Sequence, residues 1–239
     1  MPVSYPWPVT QPALPNNVEL FVSDDPAAAV GSVLAEQAEA GGSIVLTGGS
    51  TPGAAYEVAA LQKPDWSNVS LWWGDERCVP PDDERSNYRL AKETLLDRLE
   101  VQPYEVHRIR GELLPQDAAA ELDHALAGVP LDLLLLGLGS DGHMASLFPD
   151  SPQLAVTAHL ATSGPAGLEP FVDRVTLTLP AIRAARRIVF LVRGAGKADA
   201  VARAFAEPMS RDVPASLTRM ATVPVEVYLD HAAAGGLTA

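Results

Sequence analysis

The chain has 239 residues, of which 47% are apolar, enough for a sizeable core. A formal net charge of −13 argues against nucleic acid as a partner, because phosphate backbones need clustered Lys and Arg. A single cysteine, Cys78, excludes an internal disulfide framework and fits a reducing, cytoplasmic compartment, and no apolar run approaches the ~20 residues of a membrane span.

The first residues, "MPVSYPWPVTQPALP", have neither a basic start nor an apolar segment and read as an irregular, proline-rich arm over 1–16. "VELFV" (Val18–Val22) predicts a strand. A helix follows, with Ser23 as its cap, Pro26 in its first turn and Gly41 at its stop. "SIVL" is a second strand that ends in "TGGSTPG", and a helix is expected from Pro52 to Leu61. "VSLWW" (Val69–Trp73) is a third strand, followed by a polar loop, "GDERCVPPDDERSN", and a helix over "YRLAKETLLDRL". "AAAELDHAL" is helical. "LDLLLLG" is a continuously apolar strand, the mark of a strand covered on both faces. "VTLTLP", "RIVFLVRG" and "VEVYLD" add strands, with a helix from Lys197 to Phe205. The alternation predicts one α/β domain over 1–239, built on a mostly parallel, Rossmann-like sheet with helices on both faces.

Parallel sheets of this kind bind ligands beyond the carboxyl ends of their strands. Four loops qualify: "TGGSTPG", "GDER", "GLGSDGH" and "RGAGKAD". The third spells Gly137-x-Gly139-x-x-Gly142, the dinucleotide fingerprint. It lacks the acid expected about 20 residues on, and prolines leave little room for the helix that would cap a pyrophosphate. "RGAGKAD" fails as a P-loop, with Leu191 and Ala198 where Gly and Ser or Thr are required, and Leu138 breaks a nucleophile elbow at Ser140. No His or Cys pair has metal-ligand spacing. His107, His124, His159 and His231 stand alone and read as structural or surface groups, and Cys78 as a bystander.

What survives is an anion site. Gly48 and Gly49 let backbone N–H groups converge, Ser50 and Thr51 add hydroxyls, and a helix N-terminus stands behind them, so a phosphate is the natural guest. Lys197 is set against the helix dipole at the start of its own helix, which suits a ligand contact as well as a solvated surface. Arg174 can present a guanidinium fork to the same anion. Imidazoles ordinarily titrate at about 6.5, so His143 is available as a base, with Asp141 two residues away to orient it. Asp75, Glu76 and Arg77 join the rim, Arg77 as a cation for charge developing on a carbonyl oxygen.

In "LTGGSTP", "WWGDER", "SNYRLA", "LGLGSDGHMASLFP", "VTLTLPAI" and "GAGKADAV", taken in order, the chain resembles the 6-phosphogluconolactonase family over nearly its whole length. The resemblance implies the three-layer α/β/α fold shared with glucosamine-6-phosphate deaminases and ribose-5-phosphate isomerases. It implies hydrolysis of 6-phospho-D-glucono-1,5-lactone to 6-phosphogluconate in the oxidative pentose phosphate pathway, with no metal or organic cofactor. Apart from the resemblance, a monomer or weak oligomer is expected, the sequence leaving the oligomeric state open. It assigns the catalytic histidine to His143, phosphate contacts to Gly49, Ser50, Thr51 and Lys197, a site arginine to Arg77 and, by position, another to Arg174. Met144 stands where a Thr is expected. The deaminases resemble "DEY" and "DGHIAFNEP" at the matching places, where this chain has Arg77 for the Tyr and "SLFP" for "FNEP". Two alternatives remain at this level: a sugar-phosphate isomerase or deaminase, and a non-catalytic module that binds a sugar phosphate.

Overall fold

The computed structural model describes residue 15 and residues 17–237; apart from Pro15, the expected N-terminal arm lies outside the described residues. In chain order the elements are β1 (Val18–Val22), α1 (Pro26–Ala40), β2 (Gly42–Leu46), α2 (Ser50–Gln62), β3 (Val69–Trp73), β4 (Asp75–Arg77), α3 (Asn87–Thr94) and β5 (Glu105–His107). They continue as α4 (Pro115–Ala125), β6 (Leu133–Leu136), β7 (Ala161–Gly164), β8 (Arg174–Leu177), α5 (Leu179–Arg183), β9 (Ile188–Val192), α6 (Ala198–Phe205) and β10 (Val225–Leu229).

Seven strands form a wholly parallel sheet in the order β1-β10-β9-β6-β2-β3-β5. Connections from β1 to β2, β3 and β5 run toward one edge, and those from β5 to β6, β9 and β10 run back. Right-handed crossovers therefore place α1, α2 and α3 on one face and α4, α5 and α6 on the other. In agreement, α1 packs on α2 and α2 on α3, while α5 and α6 share a contact with the 3-10 turn Pro214–Met220. The strand order reverses between β2 and β6, which makes their carboxyl ends the topological switch point.

The four leucines of β6 are fully buried, because helices cover both faces. Each such side chain contributes roughly 1.5–3 kcal/mol relative to leaving it in water. Among the described residues, no helix is long and apolar enough to cross a membrane, and no group of three or more His, Cys, Asp or Glu is placed to hold a metal ion.

Several details differ from the sequence reading. Asp25, not Ser23, caps α1, accepting the Ala28 N–H at 3.1 Å. Helix α2 starts two residues early, so Ser50 and Thr51 lie in its first turn behind Gly49. The helix expected over 88–99 ends at Thr94, where Leu95 leaves helical geometry (φ −125°, ψ −70°) and a 3-10 turn, Leu96–Arg98, follows. "VTLTLP" supplies β8 to a separate antiparallel sheet, β4-β8-β7, whose other two strands were unforeseen. Strands of three or four residues are too short to show a period; long-range pairing creates them.

Candidate active site

Four adjacent strands, β9-β6-β2-β3, deliver the four strand-end loops to one rim. There they enclose a cavity of about 310 Å³. Gly48, Gly49, Ser50, Thr51, Asp75, Arg77, His143 and Lys197, all expected from the sequence, line it. Thr47, Asn87 and Arg193 line it too and were not singled out.

The β2–α2 turn is held from below. Tyr56 Oη accepts the Thr47 N–H at 2.9 Å and donates to the Thr47 carbonyl at 2.6 Å; burial pushes this phenol's pKa up. Gly49 adopts φ +111° and no side chain caps α2, so the helix's first N–H groups remain available beside the Ser50 and Thr51 hydroxyls. Helix dipole and free donors together favour an anion. Gly48 is required for space, since a Cβ there would collide with the Asn87 amide.

Strand β4 sorts its residues by alternation. Asp75 and Arg77 face the cavity; Glu76 points away from it. The buried Asp75 accepts from Ser146 Oγ at 2.6 Å and from Asn87 Nδ2 at 3.2 Å. Arg77 Nη1 donates to the Arg85 carbonyl, which anchors the guanidinium at the wall. Glu76, expected among the site acids, instead accepts the N–H groups of Asn87 (2.7 Å) and Tyr88 (2.8 Å) and the Ser86 hydroxyl (3.0 Å), capping α3. Burial raises its pKa against these donors. Arg174 is the register partner of Arg77 but is not on the cavity wall. Its guanidinium is buried and donates to the carbonyls of Val172 (3.0 Å) and Pro170 (2.9 Å); burial, then Arg77, lowers its pKa. Cys78 follows β4 half-buried. Burial and Asp173 push its thiol up to about 11, so it stays protonated.

The loop after β6 explains its glycines. The Gly139 N–H donates to the His143 carbonyl (2.8 Å) and the Gly142 N–H to the Gly139 carbonyl (3.0 Å). A Cβ at Gly139 would collide with the His143 ring and the Asp141 carboxylate, and Gly142 adopts φ +92°. No long helix follows; the next helical element is the 3-10 turn Pro152–Ala155. The fingerprint therefore serves a tight turn around an imidazole. Asp141 Oδ1 accepts the His143 backbone N–H (3.1 Å) and pairs with ring Nδ1 (2.6 Å), so in the neutral ring Nε2 is the nitrogen left to take up a proton. Burial works against the Asp141 charge, but the hydrogen bonds from His143 outweigh it, and the carboxyl falls below its ordinary range. Phe148 packs on the imidazole at 4.8 Å between centroids. Met144 is fully buried in the core, so its side chain offers the cavity nothing and takes nothing from it.

Lys197 stands at the N-cap of α6. Half-buried, its ammonium is pulled down by desolvation, with Asp141 opposing, and among the described residues no carboxylate lies within 4 Å of it. Its approach to the rim is set by Asp230, which accepts the Gly194 N–H at 3.0 Å. Arg193 was legible in principle, as a second cation four residues before Lys197 in a glycine-rich loop of an acidic chain. Asn87 carried no signal beyond its place after a serine.

The arrangement combines an anion cradle, a histidine with a free Nε2 and a cation opposite. A family model described as glucosamine-6-phosphate isomerases/6-phosphogluconolactonase matches residues 21–226. The 6-phosphogluconolactonase of Synechocystis sp. is 39% identical over 175 residues, covering 69% of this chain and 72% of that protein. That of Mycobacterium tuberculosis is 38% identical over 205 residues, covering 79% and 81%. Among solved structures, 6-phosphogluconolactonase from Leishmania guyanensis superimposes with a TM-score of 0.81 at 26% identity, over 93% of this chain and 99% of that one.

Proposed function

The chain belongs to the family of glucosamine-6-phosphate isomerases and 6-phosphogluconolactonases, and from that membership we propose that it hydrolyses 6-phospho-D-glucono-1,5-lactone to 6-phosphogluconate with His143 as general base. The observation that carries the reading is the 2.6 Å bond from His143 to Asp141, with the His143 ring, though not Asp141 itself, on the wall of the cavity that also holds the Gly49–Thr51 turn.

The turn and Lys197 hold the 6-phosphate and so fix the ring, converting an encounter into an oriented, intramolecular reaction. His143 Nε2 removes a proton from water as the water oxygen bonds to the C1 carbonyl carbon, and Asp141 stabilises the imidazolium that forms. Arg77 and nearby backbone donors balance the oxyanion. The intermediate collapses by breaking the bond from C1 to the ring oxygen, and the imidazolium returns its proton to that oxygen. Asp75 accepts from sugar hydroxyls. Arg174 acts at one remove, bracing the segment beside β4. A positioned base supplies about 10²–10⁴-fold, enough for a lactone that already hydrolyses unaided.

Phe148, packed on the imidazole, speaks against ring-opening deamination, because the deaminase-like sequence has an acid there. The test is lactone clearance with spontaneous hydrolysis subtracted. His143→Ala should lose about 10²-fold or more in turnover while keeping its fold; near-normal turnover would end the proposal.

A further inference from the structure

We propose that Arg193 is a second phosphate-binding cation of this site, held in reserve on Asp230 and released to the substrate's dianion when it arrives. The proposal rests on the reading of the cavity as a sugar-phosphate site.

Arg193 is the first residue after β9 and lines the cavity with Lys197. Its Nε lies 3.9 Å from Asp230 Oδ2, an ion pair without a hydrogen bond, and 57% of its side chain is exposed. Such a contact is weak and easily exchanged. Asp230 does not depend on it. Its two oxygens accept the Gly194 N–H at 3.0 Å each, and Oδ1 accepts the Ala233 N–H at 2.7 Å. When Arg193 leaves, the largely buried carboxylate keeps its partners and the loop keeps its shape. The rim therefore has a cation that can move at little cost beside one, Lys197, that among the described residues has no carboxylate within 4 Å. Both cations line one cavity of a chain that has only 17 Lys and Arg against 30 Asp and Glu. A phosphate dianion balances both charges. The guanidinium fork suits phosphate oxygens, and the cations also draw an anionic substrate toward a protein whose overall field repels it.

Arg193→Met keeps the length of the side chain and removes its charge. The variant should raise KM for the phosphorylated lactone about tenfold with kcat within about twofold, and weaken binding of inorganic phosphate, measured by calorimetry, by a similar factor. Arg193→Lys should recover part of both, since it restores the charge but not the fork. Unchanged KM and phosphate affinity in Arg193→Met would overturn the inference. So would loss of kcat at unchanged KM, or absence of phosphate binding by the wild type. Should the Met variant fail to fold, equal phosphate affinities for Arg193→Lys and Arg193→Gln would overturn it instead. His143→Ala separates the two proposals, because it should bind phosphate like the wild type. A wild type without lactonase activity whose phosphate affinity still depends on Arg193 would refute the reaction and uphold the anion site.

Discussion

Two histidines in this chain follow a carboxylate by two residues and bond to it. His143 reaches Asp141 at 2.6 Å, and His107 reaches Glu105 at 2.9 Å. Each also borders a cavity, about 310 Å³ at His143 and about 250 Å³ at His107. The surroundings separate them. His107 lies on the edge strand β5 and stacks flat on Trp72 at 3.8 Å. The arginines around it are already engaged: Arg108 holds Glu112 with two bonds of 2.9 and 2.6 Å, and Arg110 holds Glu121 at 3.4 Å. At the rim, among the described residues, Lys197 has no carboxylate within 4 Å, Arg193 has a loose partner, and no side chain caps the first turn of α2. A histidine–carboxylate pair is thus a common local device. Uncommitted positive charge around it, at a switch point, is what marks this pair as chemical.

The comparison can be broken first at Gly139. Gly139→Ala adds a Cβ where the imidazole and the Asp141 carboxylate lie. Turnover should fall about 10²-fold or more in a lactone-clearance assay, because the base is displaced; an unchanged rate would mean that the pair's geometry does not matter. His107→Ala should do the reverse. It loses a stack worth about 0.5–1.5 kcal/mol, visible in urea unfolding, and leaves turnover at the wild-type level. A large activity loss there would erase the distinction between the two pairs.

The smallest effect concerns the engaged cations. The hydrogen bonds from Arg108 hold the Glu112 carboxyl down at about 2. A depressed acid stabilises the fold above its unfolded pKa of about 4.3 and loses that contribution as pH falls through its folded value. Glu112→Gln should therefore unfold slightly more easily than the wild type at neutral pH, by no more than about 1 kcal/mol. The gap should close as pH falls from about 4 toward 2. A gap that persisted at low pH would show that packing, not charge, holds the pair.

Much of the site could be read locally. Gly48 to Thr51, Asp141, His143 and Lys197 sit in turns whose glycines and caps signal themselves within a few residues. Asp75 and Arg77 line the cavity and Glu76 does not, a sorting that depends on β4 existing as a strand, and β4 exists only by pairing with β8. Arg174 reads as a free cation ahead of a strand. The fold turns it inward onto the Pro170 and Val172 carbonyls, which no spacing announces.

The sequence by itself determined the alternation of strands and helices, the buried character of "LLLL", the sharp turns at the glycines and the short reach from Asp141 to His143. These depend on propensity, periodicity and bonds that close within a turn. The tertiary structure decided which strands are neighbours, hence that the loops after β2, β3, β6 and β9 meet at one rim. It also decided which face of β4 looks inward and which cations stay unpaired. Those outcomes come from contacts between residues in separate elements of the chain, where burial and pairing choose among arrangements that local chemistry leaves equal.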